Sequence, residues 1–158
     1  MQEILLKQSR DILITETDSY VLYLLEPDIV VTIAGRFVAS GTEQKQVKVT
    51  IHHRAPRTVA HTSLRGTSSD TAKLTFFGRI IIDPDCPQTN SFLEERILLL
   101  SPNARGETVP ELEILSDDVK CSHAATISTI DPEQLFYLQS RGLTLEQAEK
   151  MLVDSFLQ

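Results

Sequence analysis

Between residue 11 and about residue 128 the sequence reads as strands and nothing else, and this constrains the fold more than any other feature. Short runs rich in Val, Ile, Leu and Thr recur: DILIT at 11–15, YVLYLL at 20–25, DIVVTIA at 28–34, QVKVTIHH at 46–53, KLTFFGRIIID at 73–83, RILLL at 96–100 and LEIL at 112–115. Breakers separate them at Glu26-Pro27, Ser40-Gly41, Asp83-Pro84, Ser101-Pro102 and Arg105-Gly106. No helical pattern longer than two turns intervenes, so the crossover helices of an α/β fold are missing and the region is all-β. A sandwich, a barrel and a β-solenoid all remain open. The lack of a strict repeat weighs against the most regular solenoids.

At residue 131 the texture changes. Asp131 followed by Pro132 is an N-cap with proline in the first helical position. The run PEQLFYLQSR ends at Gly142, a good residue to follow a helix. Thr144 opens a second helix, with Gln147 as its capping-box partner. Leu145, Ala148, Leu152 and Phe156 recur at steps of three and four and define one apolar face, while Glu146 and Lys150 pair on another. Two helices this short are marginal alone, so the apolar face has to rest on the β region or on a partner. The organisation is a β core over 1–130 and a helical hairpin over 131–158.

Composition excludes several classes. Of 158 residues, 41% are hydrophobic and 23% charged, an ordinary globular balance. Lys plus Arg number 15 against 22 Asp plus Glu, a net charge of −7, which disfavours non-specific binding to nucleic-acid phosphates. No apolar run approaches the ~20 residues that span a bilayer. Glu3, Lys7, Arg10 and Asp11 interrupt the start, so no signal-peptide core is present. The expectation is a cytoplasmic protein without a membrane anchor, with Cys86 and Cys121 as free thiols.

The sharpest candidate for chemistry is Val119-Lys120-Cys121-Ser122-His123. On a strand, Cys121 and His123 point to one face and Lys120 to the other. A thiolate and an imidazole side by side are suited to iron, zinc or a cluster edge. A buried cysteine beside a satisfied core histidine is the plainer alternative. His52 and His53 are adjacent and must face opposite sides, and His61 lies nine residues beyond His52, where one turn of a solenoid could bring them close. Cys86 sits in an apparent turn. No Walker A, nucleophile-elbow or dinucleotide glycine pattern exists, and no carboxylate pair stands out as a general acid and base.

Residues 98–153, above all PELEILSDDVKCSHAAT and EQLFYLQSRGLTLEQAE, resemble the C-terminal part of the SufB/SufD family of iron–sulfur cluster assembly, more closely its SufD branch. HHRAPRTVAHTSLRG at 52–66 and LTFFGRIIID at 74–83 are also similar to that family, whereas 1–51 has only generic strand character. The resemblance implies a right-handed parallel β-helix followed by a small helical region. It implies no catalytic activity, a scaffold role, pairing of β-helices as a homodimer or with a SufB-like chain, and a SufC-type ABC ATPase docked through the C-terminal helices. It implies His123 as the histidine of the cluster-building site and Cys121 as its neighbouring thiol, with a transient iron–sulfur cluster as cargo. The SufB-branch cysteine and glutamate align with Ala104 and Ala124, which favours the SufD side. The chain is much shorter than typical members.

Three functions compete on these grounds. One is a cluster-assembly scaffold subunit that docks the ATPase. Another is a β-solenoid interaction module that has lost cluster chemistry. The third is a small metal-dependent enzyme using Cys121, His123 and an upstream histidine.

Overall fold

The computed structural model describes residues 1–158. Ten strands precede two helices: β1 Gln2–Leu6, β2 Arg10–Ile14, β3 Ser19–Leu24, β4 Val30–Ala39, β5 Gln44–His53, β6 Val59–Ser68, β7 Lys73–Ile82, β8 Asn90–Leu99, β9 Arg105–Ile114, β10 Lys120–Thr129, α1 Pro132–Ser140 and α2 Leu145–Leu157. Odd strands form one sheet in the order β1-β3-β5-β7-β9, and even strands form the other, β10-β8-β6-β4-β2. Every pairing is parallel. A chain whose successive strands alternate between two facing parallel sheets is winding a coil, so the protein is a β-solenoid of about 4 turns.

The register supplies the repeat that the residue types conceal. Val30, Val59, Asn90 and Lys120 stack at one position, as do Gln44, Lys73 and Arg105 on the other sheet. One turn takes roughly 30 residues, within the usual range for solenoids. Buried and more exposed side chains alternate along β4 and β5 and through much of β6, β7 and β8. The inward set forms a continuous core of 23 buried residues from Leu6 to Ile97.

The corners are built by residues in left-handed backbone conformation. Asp28, Arg57, Asp70, Asp85, Gln88 and Asp118 all have φ between 55° and 64°, and Gly41 has φ 62°. Aspartate tolerates this region because its short carboxylate bonds to nearby backbone. Neighbouring corners are tied together: Arg57 donates twice to Asp28, at 2.6 and 2.8 Å, and the Gly41 N–H donates to Asp70 Oδ2 at 2.8 Å.

Three local expectations differ from the structure. Arg105-Gly106 opens β9 instead of breaking the chain, because Gly106 faces inward where an added Cβ would meet Ile97 and Ile127. β1 and β6 are regular strands, although VAHTSLRGTS carries too few large apolar residues to read as one. Its small inward residues, Ala60, Thr62 and Gly66, leave room for bulky neighbours; a Cβ at Gly66 would collide with Leu74. Leu145 is 50% exposed, so the apolar face of α2 is carried by buried Ala148 with Leu152 and Phe156 half-buried.

The hairpin is capped as its sequence predicts. Asp131 accepts from the Glu133 N–H at 2.9 Å, and Thr144 and Gln147 form a reciprocal capping box. Gly142 takes φ 96° between the helices. The hairpin is held to the outer face of the even sheet by a column of stacked arginines, Arg36, Arg65 and Arg96, at one register position. Arg65 donates to the Phe156 carbonyl at 3.0 Å, Arg36 donates to the Gln158 carbonyl at 2.5 Å, and Arg96 lies over the Phe156 ring. The carbonyl end of a helix carries partial negative charge, so it is the natural counterpart to three adjacent cations. No helix is long and apolar enough to cross a membrane.

Candidate functional site

The inner lining of the solenoid changes character along its axis. In β3, β4 and β5 as far as Ile51 the buried side chains are apolar: Tyr20, Leu22, Leu24, Val31, Ile33, Phe37, Ala39, Val47, Val49 and Ile51. From His53 onward polar groups appear inside: His53, Ser91 and Glu95 are all at most 1% exposed, and Cys121 and His123 lie partly buried on the last strand. β10 pairs with β8 alone, so its outer edge is unpaired. The polar lining therefore sits at an open end of the coil.

Alternation on β10 places Cys121 and His123 on the inner face beside Ser91 and Leu93. Lys120 and Ser122 are exposed. His123 Nε2 lies 3.1 Å from Glu95 Oε2. Burial pushes the Glu95 carboxyl up to about 7 and pushes His123 below the ordinary imidazole value. Both shifts favour neutral forms, as expected where water is displaced. Glu95 Oε1 has no hydrogen-bond partner and is sealed from solvent. The space it occupies exists because the facing residue is Gly78, where a Cβ would lie 2.5 Å from that oxygen.

Cys121 packs against the edge of the core, and burial raises its thiol above the ordinary value. The thiolate is the metal-binding form, so Cys121 is the weaker donor of the two. Cys86 is also a free thiol, 2% exposed in the β7–β8 turn, with its thiol raised first by burial and then by Asp83 and Asp85. It plugs the corner: its N–H donates to Ser116 Oγ at 3.1 Å.

The upstream histidines divide as alternation requires. His52 faces outward and meets Asp83 at 2.7 Å. His61 is exposed on the opposite sheet, because nine residues are less than one turn and carry the chain across the coil. The two are not brought together. His53 faces inward, fully buried, between Thr58 Oγ1 at 2.7 Å and Ser91 Oγ at 3.0 Å. Each ring nitrogen of His53 thus has its own hydroxyl partner, and the Thr58 hydroxyl also reaches the Ala55 carbonyl at 3.1 Å. Burial, with a further push from His52, lowers His53 to about 4, so it stays neutral. Its partner Ser91 stands beside Cys121 in the ladder.

Sequence reasoning missed Glu95. Its signal lay in SFLEERILLL, where Glu95 falls on the alternate positions occupied by Ser91, Leu93 and Ile97, but the apolar run that marks the strand, RILLL, begins only after it. Ala104 is buried in the β8–β9 corner and Ala124 follows His123 on β10. No three His, Cys, Asp or Glu side chains converge to hold a metal ion. One chain offers His123 and at most a second donor, and a complete site on this face needs donors from outside it.

Residues 14–156 match the family described as SUF system FeS cluster assembly, SufBD core domain. The match begins well upstream of residue 52, at the last residue of β2, so the whole solenoid from β3 onward falls within it. The chain is 41% identical over 105 residues to Protein ABCI7, chloroplastic, of Arabidopsis thaliana, covering 66% of this chain and 22% of that one. It is 35% identical over 120 residues to the iron–sulfur cluster assembly protein SufD of Bacillus subtilis, covering 76% and 28%. Against SufD of Escherichia coli it is 41% identical over 88 residues, covering 56% and 21%. A parallel β-solenoid with a helical cap is the class that the fold defines. The chain belongs to the SufBD family, whose role is in iron–sulfur cluster assembly, and it spans between a fifth and three tenths of the length of these relatives.

Proposed function

We propose that this chain is a non-catalytic, SufD-like scaffold subunit of iron–sulfur cluster assembly. In this reading its open β10 end pairs with a second solenoid chain, its own copy or a SufB-like one, and its hairpin docks a SufC-type ABC ATPase. The observation that carries the reading is the placement of His123 on the inner face of the last strand, at an unpaired edge. An unpaired parallel strand presents free N–H and C=O groups to another chain. Leu112, Ile114 and Ile127, each more than 40% exposed, flank that end with apolar surface. The cluster is cargo: His123 supplies one donor and the paired chain supplies the others.

The ATPase contact is assigned to α1. None of its residues is buried, and Phe136 and Tyr137 are 74% and 57% exposed beside Gln139 and Arg141. Apolar groups on a helix with no buried face are an unsatisfied surface. The polar face of α2 from Glu146 to Glu149 continues it.

The test is anaerobic reconstitution with iron and sulfide of the chain in complex with a SufB-like chain and a SufC-type ATPase, read by visible absorbance. His123→Ala is expected to keep the complex and lose most cluster absorbance, with Cys121→Ser doing less. Phe136→Asp is expected to abolish co-purification of the ATPase without changing the far-ultraviolet spectrum. Full cluster loading in His123→Ala would instead favour an interaction module without cluster chemistry. The raised Cys121 thiol supports that second reading.

A further inference from the structure

Glu95 is the only fully buried carboxyl group in the molecule. It lies on the inner face of β8 between Leu93 and Ile97, where an apolar side chain would fill the space with no unpaired polar atom. The surroundings are nevertheless shaped for it. Gly78 on the facing sheet leaves the room that Oε1 occupies, and any larger residue there would collide with both Glu95 and Leu93. One carboxyl oxygen is left without a partner, while the other has a single one, the Nε2 of His123 at 3.1 Å. No hydrogen bond of this acid is spent on the fold.

The consequence for His123 follows from hydrogen-bond inventory. A carboxylate can only accept, so Nε2 has to carry the ring proton when Glu95 is ionised. The other nitrogen, Nδ1, then keeps its lone pair. Nδ1 makes no hydrogen bond, and it is not among the buried atoms closed off from solvent. A neutral imidazole binds a metal ion through the unprotonated nitrogen, and a carboxylate on its other nitrogen fixes both ring angle and tautomer.

We propose that Glu95, in its carboxylate form, is a positioning residue for His123: by accepting from Nε2–H it locks the ring and presents Nδ1, the solvent-facing nitrogen, as the one that takes a divalent cation at the open end of the solenoid. The inference rests on the reading of His123 as a ligand, given above, and adds the group that orients it and the atom that binds.

The tautomer is measured directly on the uniformly ¹⁵N-labelled 158-residue chain by long-range ¹H–¹⁵N correlation at pH 8.5, where the acid is a carboxylate. The parent is expected to show His123 protonated on Nε2. Glu95→Leu removes the bond and is expected to give a mixture of tautomers. With Co²⁺ alone as the probe, added to the chain in complex with a SufB-like chain, Glu95→Leu is expected to weaken binding by about 10- to 100-fold. An Nδ1–H tautomer in the parent overturns the proposal with no variant needed. So does a Glu95→Leu chain that keeps the parent tautomer and the parent Co²⁺ affinity. If the tautomers shift as expected but His123→Ala binds Co²⁺ as well as the parent, the orienting role stands and the reading of His123 as a ligand falls.

Discussion

The first turns of the solenoid and the last ones share a backbone plan and differ in what they enclose. Strands β3 to β5 enclose Leu22, Leu24, Val31, Ile33, Val47, Val49 and Ile51, all fully buried and all apolar. Strands β8 and β10 enclose Ser91, Glu95, Cys121 and His123, with His53 just beneath. Parallel ladders satisfy the backbone identically in both regions, so the interior is free to vary. The early turns use it for hydrophobic burial. The last turns carry polar groups whose desolvation costs stability and whose chemistry the apolar turns do not have. A solenoid permits this division because each turn contacts only its neighbours.

The largest effect expected from this contrast is in the apolar turns. Leu22→Ala should cost about 2–5 kcal/mol by urea denaturation, because the side chain is fully buried and close-packed. A loss near that of Cys121→Ala, at the half-open end, would erase the distinction.

The pH dependence of stability sharpens the comparison. His53 falls to about 4 in the fold from 6.5, so the unfolded chain takes its proton first and stability is lost as pH drops from about 6.5 to 4. Glu95 rises from 4.5 to about 7, so the folded chain holds a proton that the unfolded chain has released, and stability is lost as pH rises through that window. Each gap corresponds to about 3 kcal/mol. The two oppose one another between 4.5 and 6.5, and the parent should be nearly flat there. Glu95→Gln removes one side: its stability should climb with pH through this window and exceed the parent's above pH 7. A constant difference between the two proteins from pH 4.5 to 7 would show that Glu95 titrates as an ordinary surface acid.

The smallest effect concerns the outside of the same turns. Arg65→Ala should cost about 1 kcal/mol by removing a charged donor from the end of α2. Amide exchange should quicken in α2 and stay unchanged in β3 to β8. Unchanged exchange in α2 would mean that the arginine column does not hold the hairpin.

Much of this was legible in the sequence. Period-2 runs such as QVKVTIHH gave strand, face and the opposite orientations of His52 and His53 at once. The Asp131-Pro132 start and the Thr144–Gln147 box located both helices. The repeat was hidden because stacking conserves shape and not residue type: Val30, Val59, Asn90 and Lys120 share one position with no common chemistry. The corners were hidden for a similar reason, since Arg57 and Gln88 hold left-handed backbone where a glycine would have announced the turn. Glu95 and the arginine column depend on neighbours about 30 residues away, a distance that only the register reveals.

The stacking register also governs how the chain reaches its fold. Each turn is completed by closing a loop of roughly 30 residues onto an edge already formed, so the entropic cost of closure is the same at every step and does not grow with chain length. Parallel pairing is slow to nucleate, but extension from a nucleus meets only this repeated, modest barrier. The 10-residue strands β4 to β10 offer the longest template, and the 5-residue β1 and β2 offer the shortest. Strand length therefore disfavours β1 and β2 as the starting template, and each later turn, the polar one included, can be laid down on the edge beside it like the next tooth of a zip.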